Sequence, residues 1–349
     1  MVVFTVSLAD ASSPAEAGGK GASLGFLARA GAAVPPGFVV TAGAFAAAVT
    51  ALDPGGALRA ELTALPASDL AAIGRVCAAF RARVAEAPLP PEVAAAISAG
   101  YAALGEGSPD VAVRSSATVE DSADASFAGL QDTYLGVCGA SSVQDHVRRC
   151  WASLYNDESV AYRRRLRMPE DGVAMAVVVQ RMVRPRAAGV MFTRSPVTGD
   201  RSVVAIEGTW GLGSALVSGD VTPDSFAVSK ITGEITSRRV SRKGRLHSFI
   251  QNGGGVTVTD TPAAQREAAC LSDDEIRSLA DVARQVEAHY GAPQDIEWAL
   301  LDGDGPAAPR IVLLQSRPET VWAARTAAPV AAPKARPADH VLSLFGKHL

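Results

Sequence analysis

QDIEWAL, residues 294–300, is followed after a short turn by RIVLLQSR, residues 310–317. Both stretches are rich in apolar residues, and the turn LDGDGPA between them is rich in glycine, so the pattern predicts two strands paired as a hairpin. Successive side chains of a strand point to opposite faces. We therefore expect Asp295 and Glu297 on one face, with Trp298 on the other face in apolar packing.

The second strand adds an amide and a guanidinium to the same surface. Gln315 and Arg317 share a face by alternation, with Leu314 and Ser316 opposite. Carboxylate and amide oxygens suit Mg²⁺, and an adjacent arginine suits a phosphate oxygen. A solvent-exposed polar face with a surface ion pair is an equally open interpretation of this hairpin taken alone.

The composition limits the classes of function. The chain has 349 residues, enough for two or three lobes, and its net charge of −3 comes from 33 basic and 36 acidic residues. This balance argues against a nucleic-acid or membrane-surface binder. Neither a transmembrane stretch of about 18 apolar residues nor a signal peptide is apparent, so we expect a cytoplasmic protein. The scattered Cys77, Cys138, Cys150 and Cys270 predict buried free thiols.

The remaining pattern mixes helices and strands without regular βαβ alternation, which predicts an α+β fold (mixed α/β). Strands are predicted at residues 4–9, 34–41, 111–116, 133–137, 174–183, 187–193 and 202–208. Helices are predicted at residues 20–30, 44–52, 66–86, 91–104, 142–166 and 272–291. The last of these is the clearest, since Ser272 and Glu275 form a capping box and Gly291 can end the helix.

The stretch EAGGKGASLG, residues 16–25, places four glycines around Lys20. A P-loop would need Ser or Thr after the lysine and a glycine six residues before it. Gly21 and Pro14 occupy those positions. On its own, this stretch is therefore more typical of a loop before a helix than of a phosphate site.

Polar loops follow two of the predicted strands. Arg114 ends an apolar strand and precedes SSAT, whose hydroxyl and N–H groups predict an anion site, although an arginine in solvent is the plainer alternative. Residues 117–131 are small and polar, with Phe127 as the one large aromatic residue, and predict a mobile lid over a nucleotide. EGTWGLGSALVSGDVTPD, residues 207–224, predicts a further glycine-rich loop.

Taken together and in this order, the motifs GGKGASLG, VAVRSSATVED, VVVQRMV, GVMFTRSPVTGD, QDIEWAL and LLQSRPET closely resemble one family. It is the nucleotide-binding domain shared by phosphoenolpyruvate synthase, pyruvate phosphate dikinase and rifampin phosphotransferase. The resemblance covers residues from about 10 to 322. It implies an ATP-grasp fold over residues 1–322, with lobes of about 1–182 and 183–322 and ATP between them. Residues 323–349 form an Ala/Pro-rich tail or linker.

The resemblance also implies roles for individual residues. The side chains that would contact ATP phosphates and act in catalysis are Lys20, Arg114 and Arg317. The segment that would meet the adenine, largely through backbone groups, is Gln180, Arg181, Met182 and Val183. The acids of the QDIEW segment, Asp295 and Glu297, would also bind the nucleotide, and Glu297 with Gln315 would hold Mg²⁺.

Two departures from the family pattern bear on function. The family commonly reads WGLGE, whereas Ser214 follows GLG here, which puts in doubt any role of that glutamate. The swivelling phosphohistidine domain, marked by a TSHA-type segment, and the pyruvate-binding barrel have no counterpart. The five histidines, at positions 146, 247, 289, 340 and 348, lie in no such context.

Three functions remain open at this stage. The favoured one is the component of a split phosphotransferase that converts Mg-ATP to AMP and passes the terminal two phosphates to a histidine on another domain or chain, and thence to a small-molecule acceptor. The second is a stand-alone kinase of a small molecule in a biosynthetic pathway. The third is a non-catalytic nucleotide-binding module, which the full set of phosphate-directed residues argues against.

Overall fold

The fold is α+β, as the sequence predicts. The computed structural model describes residues 2–66, 69–118, 132–165, 173–302, 310–320 and 322. Its helices are α1 Pro14–Arg29, α2 Ala42–Leu52, α3 Ala57–Ala64, α4 Leu70–Glu86, α5 Pro91–Ala102, α6 Ala140–Ser153, α7 Asp157–Arg165, α8 Ser214–Val217, α9 Ala263–Arg266 and α10 Asp273–Tyr290. Its strands are β1 Thr5–Ser7, β2 Gly37–Val40, β3 Val111–Ala117, β4 Thr133–Val137, β5 Met175–Arg181, β6 Pro185–Phe192, β7 Val203–Trp210, β8 Asp224–Ser229, β9 Ile235–Arg239, β10 Arg245–Phe249, β11 Val256–Asp260, β12 Gln294–Leu301 and β13 Arg310–Pro318.

The N-terminal sheet has the antiparallel order β1-β2-β5-β3-β4. Successive side chains along its strands point to opposite faces, and both faces are packed. Val177 and Val179 of β5 face the helices, where Trp151 of α6 lies in the same core. Val178 faces the other way and packs against Leu24 of α1. The sheet is therefore covered by helices on one face and by α1 on the other.

The C-terminal sheet has the antiparallel order β13-β12-β6-β7-β8-β9. Helix α10 covers one face, with Ile276 and Leu279 in the same core as Trp298. The predicted capping box is confirmed: the Glu275 N–H donates to Ser272 Oγ, and the Ser272 N–H donates to the Glu275 carboxylate. The opposite face of this sheet is turned toward the site described below.

Helix α1 connects the two sheets. Its residue Leu24 packs on the N-terminal sheet, whereas Leu27 belongs to the core of the C-terminal sheet. Ser23 Oγ donates to the carbonyl oxygen of Ser316 on β13 at 2.6 Å. The helix predicted over residues 20–30 begins earlier than expected, because α1 starts at Pro14 and is interrupted only at Gly18, where φ is 69°. The expectation of a loop ahead of Lys20 is therefore wrong.

A third, two-stranded sheet is the antiparallel pair β10–β11. Its tip reaches the N-terminal sheet, where the N–H groups of Asn252 and Gly253 donate to the Asp110 carboxylate at 3.1 and 2.8 Å. The middle of β10 meets the C-terminal sheet through a bridge between Gly211 and His247. The pair β10–β11 thus contacts both larger sheets.

Several predicted boundaries are corrected. The single helix expected over 142–166 is divided between α6 and α7, and the loop expected over 207–224 contains the end of β7 and helix α8. Strands β8 to β11 and helices α3 and α9 were not expected from the sequence. Cys138 is only partly buried, while Cys77, Cys150 and Cys270 are buried, and all four are free thiols.

Some expectations concern residues outside the described ranges. The predicted lid is described only at residues 117 and 118, and the predicted tail, 323–349, lies wholly outside. Across the described residues, none of the helices has the length and apolar character needed to cross a membrane.

Candidate functional site

The β12–β13 hairpin brings together the side chains that the sequence predicts on one face. Asp295 lies opposite Arg317, and Glu297 lies opposite Gln315. In the pair Asp295–Arg317, the carboxylate oxygen Oδ2 lies 3.4 Å from the guanidinium nitrogen Nε. The predicted convergence of two carboxylates, an amide and a guanidinium is therefore confirmed for these four residues.

A β-bulge follows the acid pair. The register shifts between Glu297 and Trp298, so that Trp298 pairs with Leu313 and Leu314 is the extra residue. Leu314 packs beside Ala299, on the same face as the acids, rather than with Trp298 in the core under α10. The prediction that Leu314 faces away from Gln315 is wrong, because an extra residue in one strand breaks the alternation.

The bulge places an apolar surface directly beside the charged residues. We call this surface the apolar patch, and it consists of Val183, Ala188, Ala299, Leu301, Val312 and Leu314. Along β12 the same face carries Asp295, Glu297, Ala299 and Leu301 in turn, over about 20 Å of strand. One face of the C-terminal sheet therefore passes from charged to apolar without a break.

Arg114 reaches this face from the other sheet. It lies on β3, and its Nη2 donates to Glu297 Oε2 at 2.7 Å and to Gln315 Oε1 at 2.9 Å. Its Nη1 donates to the carbonyl oxygen of Leu314 at 3.0 Å. The Nε of Arg114 is buried without a hydrogen-bond partner among the described residues. A single guanidinium thus connects the two sheets across the site.

Ser116 anchors the glycine-rich start of α1 to β3. Its Oγ accepts the Gly21 N–H at 3.1 Å and donates to the Ala17 carbonyl oxygen at 2.9 Å. The backbone of Gly18 approaches so closely that a Cβ there would lie 2.1 Å from the Ser116 carbonyl oxygen. Helix α1 resumes directly after Gly18, so Lys20 lies in the first turn of the second part of the helix. The helix dipole favours an anion at that end.

The hydroxyl groups of the SSAT segment do not form the anion site that the sequence predicts. Ser115 and Ser116 are buried, and Ser116 is engaged with α1. The Thr118 hydroxyl donates to the carbonyl oxygen of Ala174. Alternation places Ser115 on the face of Val113, toward the helical core. Ser116 shares the face of Arg114, but its hydroxyl is engaged with α1.

Three positive charges converge on Glu297. Burial by itself would raise the pKa of this carboxyl, but Arg114, followed by Lys20 and Arg317, more than offsets that effect, and the pKa lies below its ordinary value. Glu297 is therefore ionised at neutral pH. A carboxyl with a lowered pKa stabilises the folded state above its unfolded pKa, and this contribution disappears as the pH falls through the folded value.

The segment expected to meet an adenine lies at the edge of the same surface. The N–H groups of Arg181 and Met182 donate to the carbonyl oxygens of Pro36 and Asp110, at 2.8 and 2.9 Å. Gln180 is buried, and its Nε2 donates to the Pro35 carbonyl oxygen at 3.2 Å. Of the four residues, Val183 is the one that packs within the apolar patch.

Comparison with known proteins identifies the family of this chain. Residues 14–337 match the family described as pyruvate phosphate dikinase, AMP/ATP-binding domain. The chain belongs to this family. The match extends past residue 322, into the segment predicted as a tail.

Named relatives of this AMP/ATP-binding domain are longer proteins. A rifampicin phosphotransferase of a Streptomyces species is 46% identical over 312 residues, which are 89% of this chain and 35% of the relative. A probable phosphoenolpyruvate synthase of Methanothermobacter thermautotrophicus is 43% identical over 308 residues, 87% of this chain and 44% of the relative. A prodigiosin-synthesising transferase of Serratia marcescens is 41% identical over 310 residues, 89% of this chain and 32% of the relative. The chain spans less than half the length of these relatives.

Ser214 of this AMP/ATP-binding domain belongs to a cluster that the sequence did not reveal. Its hydroxyl lies 3.0 Å from Nδ1 of the buried His247, and Nε2 of His247 lies 3.1 Å from Asp220 Oδ2. The preceding Gly213 lies beside Ala188 of the apolar patch, since a Cβ on Gly213 would be 3.7 Å from the Ala188 Cβ. No sequence pattern indicated His247, because strand β10 itself was not predicted.

Proposed function

We propose that this AMP/ATP-binding domain binds Mg-ATP between its two large sheets, as an ATP-grasp fold with lobes of about 1–182 and 183–322. It transfers the two terminal phosphates to a histidine of another domain or chain, and a small molecule is the final acceptor. The domain is in this view the ATP-using component of a phosphoenolpyruvate synthase-like phosphotransferase.

One observation carries this proposal: a single face of the C-terminal sheet joins an apolar patch to a charged cluster, and Arg114 meets that cluster from the opposite sheet. ATP has the same polarity, with a flat apolar base at one end and phosphates at the other. The base would lie on the apolar patch beside Val183. The phosphates would lie between Lys20, Arg114 and Arg317.

The donor set also fits a magnesium ion. Glu297 and Gln315 offer a carboxylate and an amide oxygen from directly opposite positions, and Asp295 supplies a second carboxylate next to them. Mg²⁺ prefers one or two protein carboxylates together with phosphate oxygens and water. A bound Mg²⁺ would supply positive charge to the β- and γ-phosphates. Glu297 and Gln315 would hold it, with Asp295 in support.

The chain's own residues would promote attack at the β-phosphorus. A nitrogen of the acceptor histidine forms a new bond to that phosphorus, while the bond to the oxygen shared with the α-phosphate breaks and AMP leaves with that oxygen. Lys20, Arg114 and Arg317 would stabilise the negative charge on the transferred group. Their charges already act together on Glu297, which supports a shared location.

The acceptor histidine is assigned to another domain or chain. His146 and His289 lie on helices α6 and α10, with Nδ1 2.7 Å from the carbonyl oxygens of Ser142 and Gln285. His247 is buried beside Ser214 and Asp220. His340 and His348 lie outside the described residues. The greater length of the relatives is consistent with further domains that supply the acceptor.

Binding is tested by calorimetric titration of ATP, with and without Mg²⁺, on the wild-type chain and on Lys20→Ala. Arg277→Ala is the matched control, because Arg277 is a half-exposed cation on α10, on the far side of the C-terminal sheet. We expect Lys20→Ala to weaken ATP binding at least about tenfold, the usual effect of losing a charge-assisted hydrogen bond. Equal affinity in the three proteins would refute the site.

Transfer is tested with ATP labelled on the β-phosphate and a cognate phosphohistidine domain. We expect AMP and an acid-labile label on the partner histidine, in stoichiometric amount. Rapid release of ADP with a small molecule as acceptor, in the absence of any partner, would instead identify a direct kinase.

A further inference from the structure

Arg114 occupies the oxygens that the proposed function assigns to the metal. Its Nη2 lies 2.7 Å from Glu297 Oε2 and 2.9 Å from Gln315 Oε1, and both oxygens accept hydrogen bonds from it. The Arg114 side chain is only 14% exposed. The two proposed metal ligands are therefore already bound to one largely buried cation.

A guanidinium and a divalent metal ion compete for these oxygens. Each cation needs lone pairs directed toward it, and a carboxylate oxygen whose lone pair accepts a short hydrogen bond offers less to a metal. Two like charges at this distance also repel each other. A metal ion that approaches Glu297 Oε2 and Gln315 Oε1 therefore competes with Arg114 for the same two oxygens.

Arg114 has a better partner available when a nucleotide is bound. A phosphate group accepts two parallel hydrogen bonds from a guanidinium, which a single carboxylate oxygen shared with an amide oxygen does not offer. The Nε of Arg114, which has no partner among the described residues, would gain one from a phosphate oxygen. Arg114 also lies on a strand of the N-terminal sheet, so its side chain can turn without breaking the pairing of β12 with β13, at the cost of its hydrogen bond to the Leu314 carbonyl oxygen.

We propose that Arg114 is a gate for the metal: it holds Glu297 and Gln315 until the polyphosphate of the nucleotide draws it away, and only then do both oxygens become free to ligate the ion. The proposal rests on the proposed function and adds its regulation. It makes metal binding depend on a polyphosphate, and the coupling is reciprocal. The free protein is thereby kept from holding a metal ion without its substrate.

The test measures Mn²⁺ binding to the nucleotide-free protein by electron paramagnetic resonance, which counts free Mn²⁺ directly. Arg114→Met removes the charge and all hydrogen bonds while keeping the length of the side chain. Arg317→Met is the matched control, because it removes an equal charge next to Asp295 but leaves Glu297 Oε2 and Gln315 Oε1 bonded to Arg114.

We expect weak Mn²⁺ binding by the wild type and about ten- to a hundredfold tighter binding by Arg114→Met, as hydrogen bonds to a charged group are worth roughly that much in a binding constant. Arg317→Met should change the affinity only a few-fold, through the general loss of positive charge. Equal tightening in both variants would overturn the gate, since the effect would then be unspecific electrostatics. No tightening in Arg114→Met would overturn it as well.

Folding of the variants is checked by circular dichroism and thermal unfolding. Should Arg114→Met fail to fold, Arg114→Gln removes the charge and keeps a polar side chain at the site, and it should bind Mn²⁺ more tightly than the wild type; no increase refutes the gate. Calorimetry of ATP in the presence of Mg²⁺ separates the two ideas. A wild type that binds no Mg-ATP refutes the proposed function, whereas Mg-ATP binding with no effect of Arg114 on Mn²⁺ refutes the gate alone.

Discussion

Two hairpins of this protein, β12–β13 and β10–β11, contribute to the site in opposite ways. The β12–β13 hairpin is joined to the six-stranded sheet through β6, and Trp298 on its inner face is fully buried. The β10–β11 hairpin stands as a sheet of its own, and Val258 on β11 is 46% exposed. The first presents side chains to a ligand, and the second connects parts of the molecule through backbone groups.

The difference shows what fixes a hairpin in place. Where one face is buried, a slip of one residue would turn every apolar side chain toward solvent, so the register is strongly specified. In β12, the buried side chains of Ile296 and Trp298 specify the register in this way. The sequence VTVTD of β11 alternates too, but with its valines exposed. That hairpin is held by its contacts with Asp110 and with Leu212, whose N–H donates to the His247 carbonyl oxygen at 2.9 Å.

The largest expected effect separates the two hairpins by stability. Trp298→Ala removes a fully buried aromatic side chain and should cost about 3–5 kcal/mol in the free energy of unfolding. Val258→Ala, on the exposed face of β11, should change it by no more than about 0.5 kcal/mol. Chemical denaturation followed by circular dichroism measures both. Similar losses in the two variants would mean that both hairpins are packed alike.

A smaller effect concerns metal binding, in which we expect the β12–β13 hairpin to take part and the β10–β11 hairpin not. Glu297→Gln keeps the size of the side chain and removes the charge, so Mn²⁺ binding in the presence of an ATP analogue should weaken about tenfold or more. Asp260→Asn is the matched change on β11, where Asp260 forms an exposed pair with Arg245 at 3.6 Å. Unchanged metal affinity in Glu297→Gln would contradict the assignment of the metal ligands.

The smallest effect concerns how the second hairpin is attached. Asp110→Ala removes the acceptor for the N–H groups of Asn252 and Gly253, so amide hydrogen exchange in residues 250–255 should accelerate several-fold, because such local contacts are worth about 1 kcal/mol. Exchange in β12 should be unaffected. Asp281→Ala, an exposed acid of α10, is the control. Unaltered exchange at the tip would mean that other contacts hold the hairpin.

Much of the site could be predicted from short stretches of sequence. Alternation alone placed Asp295 with Glu297 and Gln315 with Arg317, and the capping box marked the start of α10. The bulge at Leu314 could not be predicted, because one inserted residue leaves no mark in an apolar run. Ser214, His247 and Asp220 were also missed, since they meet through β10, whose sequence RLHSF lacks the alternation of apolar residues that would indicate a strand.

Ser116 is a second residue whose role could not be predicted from the sequence. The sequence suggested that hydroxyl groups beside Arg114 bind an anion, whereas the hydroxyl of Ser116 fastens the Gly18 to Gly21 segment to β3. Both uses require the same residue type at the same position. Only the place of α1 against the N-terminal sheet distinguishes them.

The sequence by itself determined the local order of this protein: which residues share a face of β12 and β13, where α10 begins, and which family the chain resembles. The shared faces and the start of the helix are properties of neighbouring residues, set by the periods of strand and helix, and the resemblance rests on short motifs in a fixed order. The tertiary structure alone decided that Arg114 meets Glu297 and Gln315, which lie 183 and 201 positions further along the chain. It also decided that an apolar patch lies beside them. Such contacts depend on how α1 holds the two separately formed sheets, and the periodicity of neighbouring residues carries no information about that placement.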